Sequence, residues 1–322
     1  MLMSLETEAI LDRRRLKRHL SLWRIAAVVA GTLALGALIY KSVGSRAFGD
    51  RQIARVNLEG IITENRDQLK LLREVAKDKN VEALLLFINS PGGTTTGGEA
   101  LFEAIRGVAA KKPVVAQFGT VATSAAYIAG LATDRIVARG NTITGSVGVI
   151  FQWAEVSELL GKLGVKMNEI KSGPLKANPS PFQPVDEAGR QTAQQMVAES
   201  MRWFVSLVTS RRGINTVDVP GLEQGRVYSG REALDYKLVD QIGGEREAQA
   251  WLEEQRGITK GLKIVDWKPK RDDDWGWLDF FTKSLAGLAG ATTGRLLELA
   301  ADPRLALLRL DGLVSVWQPS EN

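Results

Sequence analysis

The sequence predicts an α/β fold, a domain of strand–helix crossover units with an N-terminal transmembrane helix and a helical C-terminal tail. Three observations predict it. From Gln52 onward, short apolar runs alternate with segments of helical spacing, the pattern of parallel strands joined by crossover helices. Ile25 to Tyr40, IAAVVAGTLALGALIY, runs 16 residues without a charge. From Trp275 the composition changes again, to a stretch rich in Trp, Phe and Leu.

Taken in order, residues 1–24 are a polar, basic segment carrying Arg13, Arg14, Arg15, Lys17, Arg18 and Arg24. Residues 25–40 are expected to be a membrane anchor. With Leu22 and Trp23 added ahead, the apolar length reaches the short end of the spanning range, and Trp23 and Tyr40 fall near the two interfaces. A core helix would show a polar face, and this stretch has none. Signal-peptide cleavage after Ala47 is the competing reading. The basic flank predicts a cytoplasmic N-terminus, so residues 41–51, a linker, and all that follows are expected outside the cytoplasm.

Within residues 52–270, Ile53–Thr63 reads as a strand, Asp67–Lys77 as a helix with Leu69, Leu72 and Val75 inward, and Val81–Ile88 as a buried strand. Asn89–Gly98, NSPGGTTTGG, reads as a glycine-rich loop. Glu99–Lys111 is a helix, Val114–Phe118 a strand, Ser124–Ala132 a helix and Arg135–Ala138 a strand. Asn141–Ile150 is a turn and strand, Leu159–Leu163 the end of a helix, and Lys166–Ile170 a strand. Ser172–Pro184, rich in Pro, Gly and Ser, reads as an ordered loop or lid. Asp186–Arg212 is a long amphipathic helix, and Glu232–Tyr236 and Glu245–Glu254 are shorter ones. Residues 271–322 form the tail, a Leu-rich helical pattern that suits either a membrane interface or packing on the domain or a neighbouring subunit.

Composition excludes several chemistries. The net charge of +5 does not mark a nucleic-acid binder, because residues 1–50 hold eight Lys/Arg against four Asp/Glu and leave +1 for the remaining 272 residues. Without cysteine there is no disulfide, no thiolate metal site and no Cys nucleophile. The one histidine, His19, lies across the expected membrane from the main domain. A Ser-His-Asp triad, a His-liganded zinc and a His general base are thereby removed from it. No metal or cofactor is expected.

What remains centres on Gly119–Gly130, GTVATSAAYIAG. Ser124 stands at a strand-to-helix turn, where unpaired N–H groups and the helix dipole favour an oxyanion, although many serines there are simple caps. With histidine absent, its base must be Lys, Asp, Glu, Tyr or an N-terminal amine. A lysine serves only when neutral, which means lowering a pKa near ~10.4 by about three units among apolar groups and away from carboxylates. Lys176, in PLKANPSP, has no acidic residue within five positions, whereas Lys171 follows Glu169. Gly92 and Gly93 allow close backbone approach to a reacting carbonyl. A phosphate cradle would need the P-loop Lys-Ser/Thr or a GxGxxG, and neither is present.

NSPGG at 89–93, VATSAAYIAG at 121–130, GSVGV at 145–149 and KSGPLKANPSPF at 171–182 resemble, in order and separation, the motifs of the bacterial signal peptide peptidase A family. The similarity spans roughly Arg55 to Gly244, and the length suits the half-size form. That family is similar in fold to the Clp protease and crotonase group. The resemblance implies Ser124 as nucleophile, Lys176 as general base, Ser146 as hydrogen-bond partner of the lysine amine, and the backbone N–H groups of Gly93 and Ala125 as the oxyanion hole. It further implies a homo-oligomer in which the lysine can come from a neighbour, apolar signal-peptide remnants as substrates, and a catalytic domain on the periplasmic side of the bacterial inner membrane. The family commonly has glycines after its nucleophile, where this chain has Ala125 and Ala126.

The function expected is a membrane-anchored serine endopeptidase using a Ser-Lys dyad. Two readings from other classes stand beside it. One is a non-catalytic scaffold of the same fold that binds apolar peptides. The other is a crotonase-type acyl-CoA enzyme, which the outward topology disfavours.

Overall fold

The structure, a computed structural model, describes residues 22–34, residues 50–269 and the backbone of residues 312–316. The chain divides into two compact units, residues 1–51 and 52–322. In the first, residues 22–34 are helical. Among the described residues no helix is long and apolar enough to cross a membrane, and residues 35–40 of the expected anchor lie outside them.

The second unit begins β1 (Gln52–Ile62), α1 (Arg66–Lys77), β2 (Val81–Thr94), α2 (Thr95–Ala109), β3 (Val114–Thr123) and α3 (Ala125–Leu131). It continues with β4 (Arg135–Ala138), β5 (Ile143–Gly145), β6 (Ile150–Gln152), α4 (Ser157–Lys162) and α5 (Glu187–Arg212). Then come β7 (Val227–Ser229), α6 (Gly230–Asp235), β8 (Gln241–Ile242), α7 (Glu245–Gln255), β9 (Lys263–Asp266) and β10 (Gly312–Val316).

Parallel pairing sets the order β9-β1-β2-β3-β4-β8. Successive side chains of these strands point to opposite faces, and both faces are covered. On one, Val56, Leu58, Leu84, Leu86, Ala116 and Phe118 meet Leu72 and Val75 of α1, Leu101 and Ile105 of α2, α3, and Phe204 and Val208 of α5. On the other, Ile53, Leu85, Val115 and Val137 meet Ala248, Trp251 and Leu252 of α7. Burial on both sides is why Val81–Ile88 reads as an unbroken apolar run rather than an alternating one.

The alanine-rich composition of α3 follows from its position. All seven of its residues are buried, so no face is free for a large polar side chain. A Cβ at Gly130 would come within 2.6 Å of the Phe118 ring, and one at Gly98 of α2 within 3.2 Å of Ala125.

Beyond the central sheet the strands change partners. Pairing of β2 with β3 shifts between Ile88 and Ser90 and ends at Ser90 opposite Ala122. The last residues of β3 pair with β5, which pairs antiparallel with β7. The last residues of β2, Gly92–Thr94, pair antiparallel with β10, whose other edge pairs antiparallel with β6.

Three expectations are corrected here. Asn89–Thr94 is not a loop. It continues β2, with Ile61 and Ile62 of β1 opposite Gly92 and Gly93, and Thr95 already opens α2. Glycines there permit a close strand contact that their low intrinsic strand preference conceals. Lys166–Ile170 is not a strand. Among the described residues it has no ladder partner, and the Ile170 side chain is fully exposed. Finally, Gly312–Val316 of the expected helical tail is a strand, while residues 271–311 and 317–322 lie outside the described residues.

Candidate active site

Ser124 is the junction between β3 and α3. Its backbone has φ 58° and ψ −121°, a combination that non-glycine residues rarely adopt. Among the described residues two backbone bonds help to hold it there. The Ser124 N–H donates to the Gly145 carbonyl of β5 at 2.9 Å, and its carbonyl accepts the Ile128 N–H of α3 at 3.0 Å. The side chain does not cap α3, unlike the hydroxyl of Thr94 on α2 or the carboxylate of Asp186 on α5. The cap reading of Ser124 is therefore removed. What remains is a buried serine, 1% exposed, on a strained strand-to-helix turn, the geometry that presents a nucleophile.

The glycine pair lies alongside. A Cβ at Gly93 would sit 1.8 Å from the Ile62 carbonyl oxygen, so only glycine fits. Gly92 has φ 110°, and its N–H donates to the Ser90 hydroxyl at 3.1 Å. Thr123, the residue before Ser124, donates its hydroxyl to the Pro91 carbonyl at 3.0 Å. The Asn89 side-chain oxygen accepts the N–H groups of Thr120 and Val121 at 3.1 and 3.2 Å, bridging β2 and β3 where their register shifts. On the other side, the Thr144 hydroxyl donates to the Ala122 carbonyl at 2.7 Å.

Ala125 and Ala126 sit in the first turn of α3, where N–H groups have no intrahelical acceptor. Neither has a positive φ, so the turn confines its strain to Ser124 and does not require glycine after it. Tyr127 is no base. It is wholly buried, its hydroxyl donates to the Leu238 carbonyl at 2.8 Å, and burial pushes its pKa far up.

The two remaining sequence candidates lie differently. Ser146, at φ 51°, follows Gly145 and donates its N–H to the Arg226 carbonyl at 2.9 Å, which places it next to the Ser124 turn. Lys176 is exposed in the segment between α4 and α5. Lys171, by contrast, is held by Glu169 at 2.7 Å. The same segment is anchored by Asp186, whose carboxylate accepts the Gly189 N–H at 2.7 Å and an Asn178 side-chain N–H at 2.8 Å. Those bonds, the Gly189 one first, hold the Asp186 pKa below the usual carboxylate value. Among the described residues no His, Cys, Asp or Glu cluster could hold a metal ion.

Comparison with known proteins decides what this geometry belongs to. Residues 106–259 match Peptidase family S49, and residues 47–143 match Clp protease. A putative protease of Methanocaldococcus jannaschii is 32% identical over 227 residues, covering 66% of this chain and 73% of that protein. A putative signal peptide peptidase SppA of Enterococcus faecium is 30% identical over 270 residues, covering 78% and 77%. The chain belongs to peptidase family S49. It is a serine peptidase, with the α/β crossover architecture of the Clp protease group.

In this S49 chain, Ser90, Thr123 and Asn89 escaped notice in the sequence. For Asn89 and Ser90 the available signal was an amide two residues and a hydroxyl one residue ahead of Pro91-Gly92-Gly93, since such side chains commonly bond nearby backbone N–H groups.

Proposed function

We propose that this S49 peptidase is a membrane-anchored endopeptidase that degrades cleaved signal peptides through a dyad of Ser124 and Lys176. The observation that carries the reading is the Ser124 turn, strained, buried and uncapped beside Gly92–Gly93. In the reaction, Ser124 Oγ attacks a peptide carbonyl while the neutral Lys176 amine accepts the hydroxyl proton. The developing oxyanion is met by the N–H groups of Gly93 and Ala125. The same lysine then gives its proton to the leaving amine. Water, deprotonated by the lysine in turn, hydrolyses the acyl-enzyme and frees Ser124.

The base is supplied by a neighbouring copy. Lys176 is exposed within its own chain, and in the same inter-helix segment Leu163, Met167, Ile170 and Leu175 are exposed at 68%, 48%, 106% and 50%. Packing that segment on a second subunit would remove water, and desolvation favours the neutral amine that catalysis needs. Ser146 would hydrogen-bond that amine.

Residues 25–40 would hold the enzyme in the inner membrane, with the catalytic unit on the periplasmic side, where apolar signal-peptide remnants accumulate. The likeness to a relative named as a putative signal peptide peptidase supports that substrate class.

The test is hydrolysis of a leucine-rich signal peptide by the full chain in detergent, with Ser124→Ala beside it and labelling by a serine-directed phosphonate. Cleavage and labelling by wild type alone support the reading. A folded wild type that binds the peptide without cutting or labelling overturns it in favour of a peptide-binding scaffold.

A further inference from the structure

Among the described residues β6 has one ladder partner, and that partner is β10. On its other edge β10 pairs with Gly92–Thr94, and it runs antiparallel to both neighbours. It lies in the row that β3 vacates. Pairing of β3 with β2 ends at Ser90 opposite Ala122, the chain then turns into Ser124, and β10 takes over along β2 from Gly92. A piece of the chain's own tail thus runs along the glycine pair, past the end of the strand that carries the candidate nucleophile.

A strand held on both edges by main-chain bonds is how β-augmentation binds an extended peptide. We infer that Gly312–Val316 is a built-in occupant of the peptide-binding slot, competing in cis with substrate. This deepens the peptidase reading and rests on it for the identity of the slot. The segment's sequence, GLVSV, is uncharged and free of proline, as a strand enclosed by two neighbours requires. Between Pro269 and Gly312 lie 42 residues, ample chain to return to the slot. A tethered segment meets its own site at an effective concentration on the order of millimolar, so a weak strand holds off dilute substrate. Release of the strand opens both Gly92–Thr94 and Ile150–Gln152 to an incoming peptide. That peptide must be extended and run antiparallel to Gly92–Thr94, as β10 does.

The full chain carrying Ser124→Ala, with and without Val314→Pro, provides the test by hydrogen exchange. Proline at 314 removes an N–H that one neighbour or the other uses, and β3 reports whether the domain is still folded. Protection at Ile150–Gln152 should be lost by about tenfold or more in Val314→Pro, with Val114–Phe118 unchanged. Equal exchange at Ile150–Gln152 in both chains overturns the inference, as does protection that grows with protein concentration, which would place the tail in a neighbour's slot. With Ser124 intact, Val314→Pro should lower KM for a dilute apolar peptide about threefold or more at constant kcat. An active enzyme with unchanged KM also overturns it. If neither chain cuts peptide, the dyad fails, while the exchange arm still decides the occupancy of the slot.

Discussion

The Thr123 hydroxyl donates to the Pro91 carbonyl at 3.0 Å, so the residue before Ser124 is tied to the residue before Gly92 and Gly93. The proposed nucleophile follows β3 and the proposed oxyanion donor Gly93 lies on β2, and this bond sets one against the other. Thr123→Val keeps the side-chain shape and removes the donor. The expected result is a fall in kcat of about tenfold, or ~1.4 kcal/mol, with KM little changed. Thr123→Ser should recover most of it. Equal loss in KM would mean that the bond shapes substrate binding instead.

Gly93 tests the oxyanion hole from the other side. A Cβ there meets the Ile62 carbonyl oxygen at 1.8 Å, so Gly93→Ala must move the backbone away from β1. The loss of one aimed donor costs roughly a hundredfold or more in kcat. Steady-state kinetics at matched folded fraction, fixed by circular dichroism, separates this from unfolding. A variant within tenfold of wild type would remove Gly93 from the oxyanion hole.

The central sheet was legible because burial on both faces leaves a direct trace, an apolar run such as Val81–Ile88 bounded by helical spacing. The place of Ser124 at a strand-to-helix turn was legible because an apolar run precedes it and Ala-rich helical spacing follows it. Its freedom from capping was not, since cap and nucleophile share the same local pattern until the backbone angles are known. The strand character of Asn89–Thr94 and Gly312–Val316 depends on partners far away in sequence, namely β1, β6 and each other. Local composition cannot report such pairings, and glycine argues against them. In the proposed assembly Lys176 would pose the same difficulty between chains, because a partner in a neighbouring copy leaves no trace in its own local sequence.

Asp186 links that lysine-bearing segment to α5, and its effect should depend on pH. Its folded pKa is depressed by the Gly189 N–H and then by Asn178, so its contribution to stability is present above the unfolded value and lost as pH falls through the folded one. Asp186→Asn mimics the protonated acid. The wild type should therefore melt above the variant at about pH 7, and the gap should close below the ordinary carboxylate value of roughly 3.9. Differential scanning calorimetry across that range gives the answer. A gap independent of pH would show that the charge plays no part in the cap.

Mixing inactive subunits tests where the base comes from. Ser124→Ala retains Lys176, and Lys176→Ala retains Ser124, so each is silent alone if both groups are required. If the lysine serves its own chain, no mixture can rebuild a site. If it serves a neighbour, a Lys176→Ala subunit beside a Ser124→Ala subunit holds an intact pair. Random assembly at equal amounts then returns about a quarter of wild-type activity. The exposure of Lys176 within its own chain, with Ile170 and Leu175 exposed in the same segment, favours that second outcome. Activity measured after co-expression, with exchange confirmed by native mass spectrometry, distinguishes the two. Silence in fully exchanged mixtures would return the lysine to its own subunit and require the segment from Lys166 to Pro184 to close over Ser124 in cis.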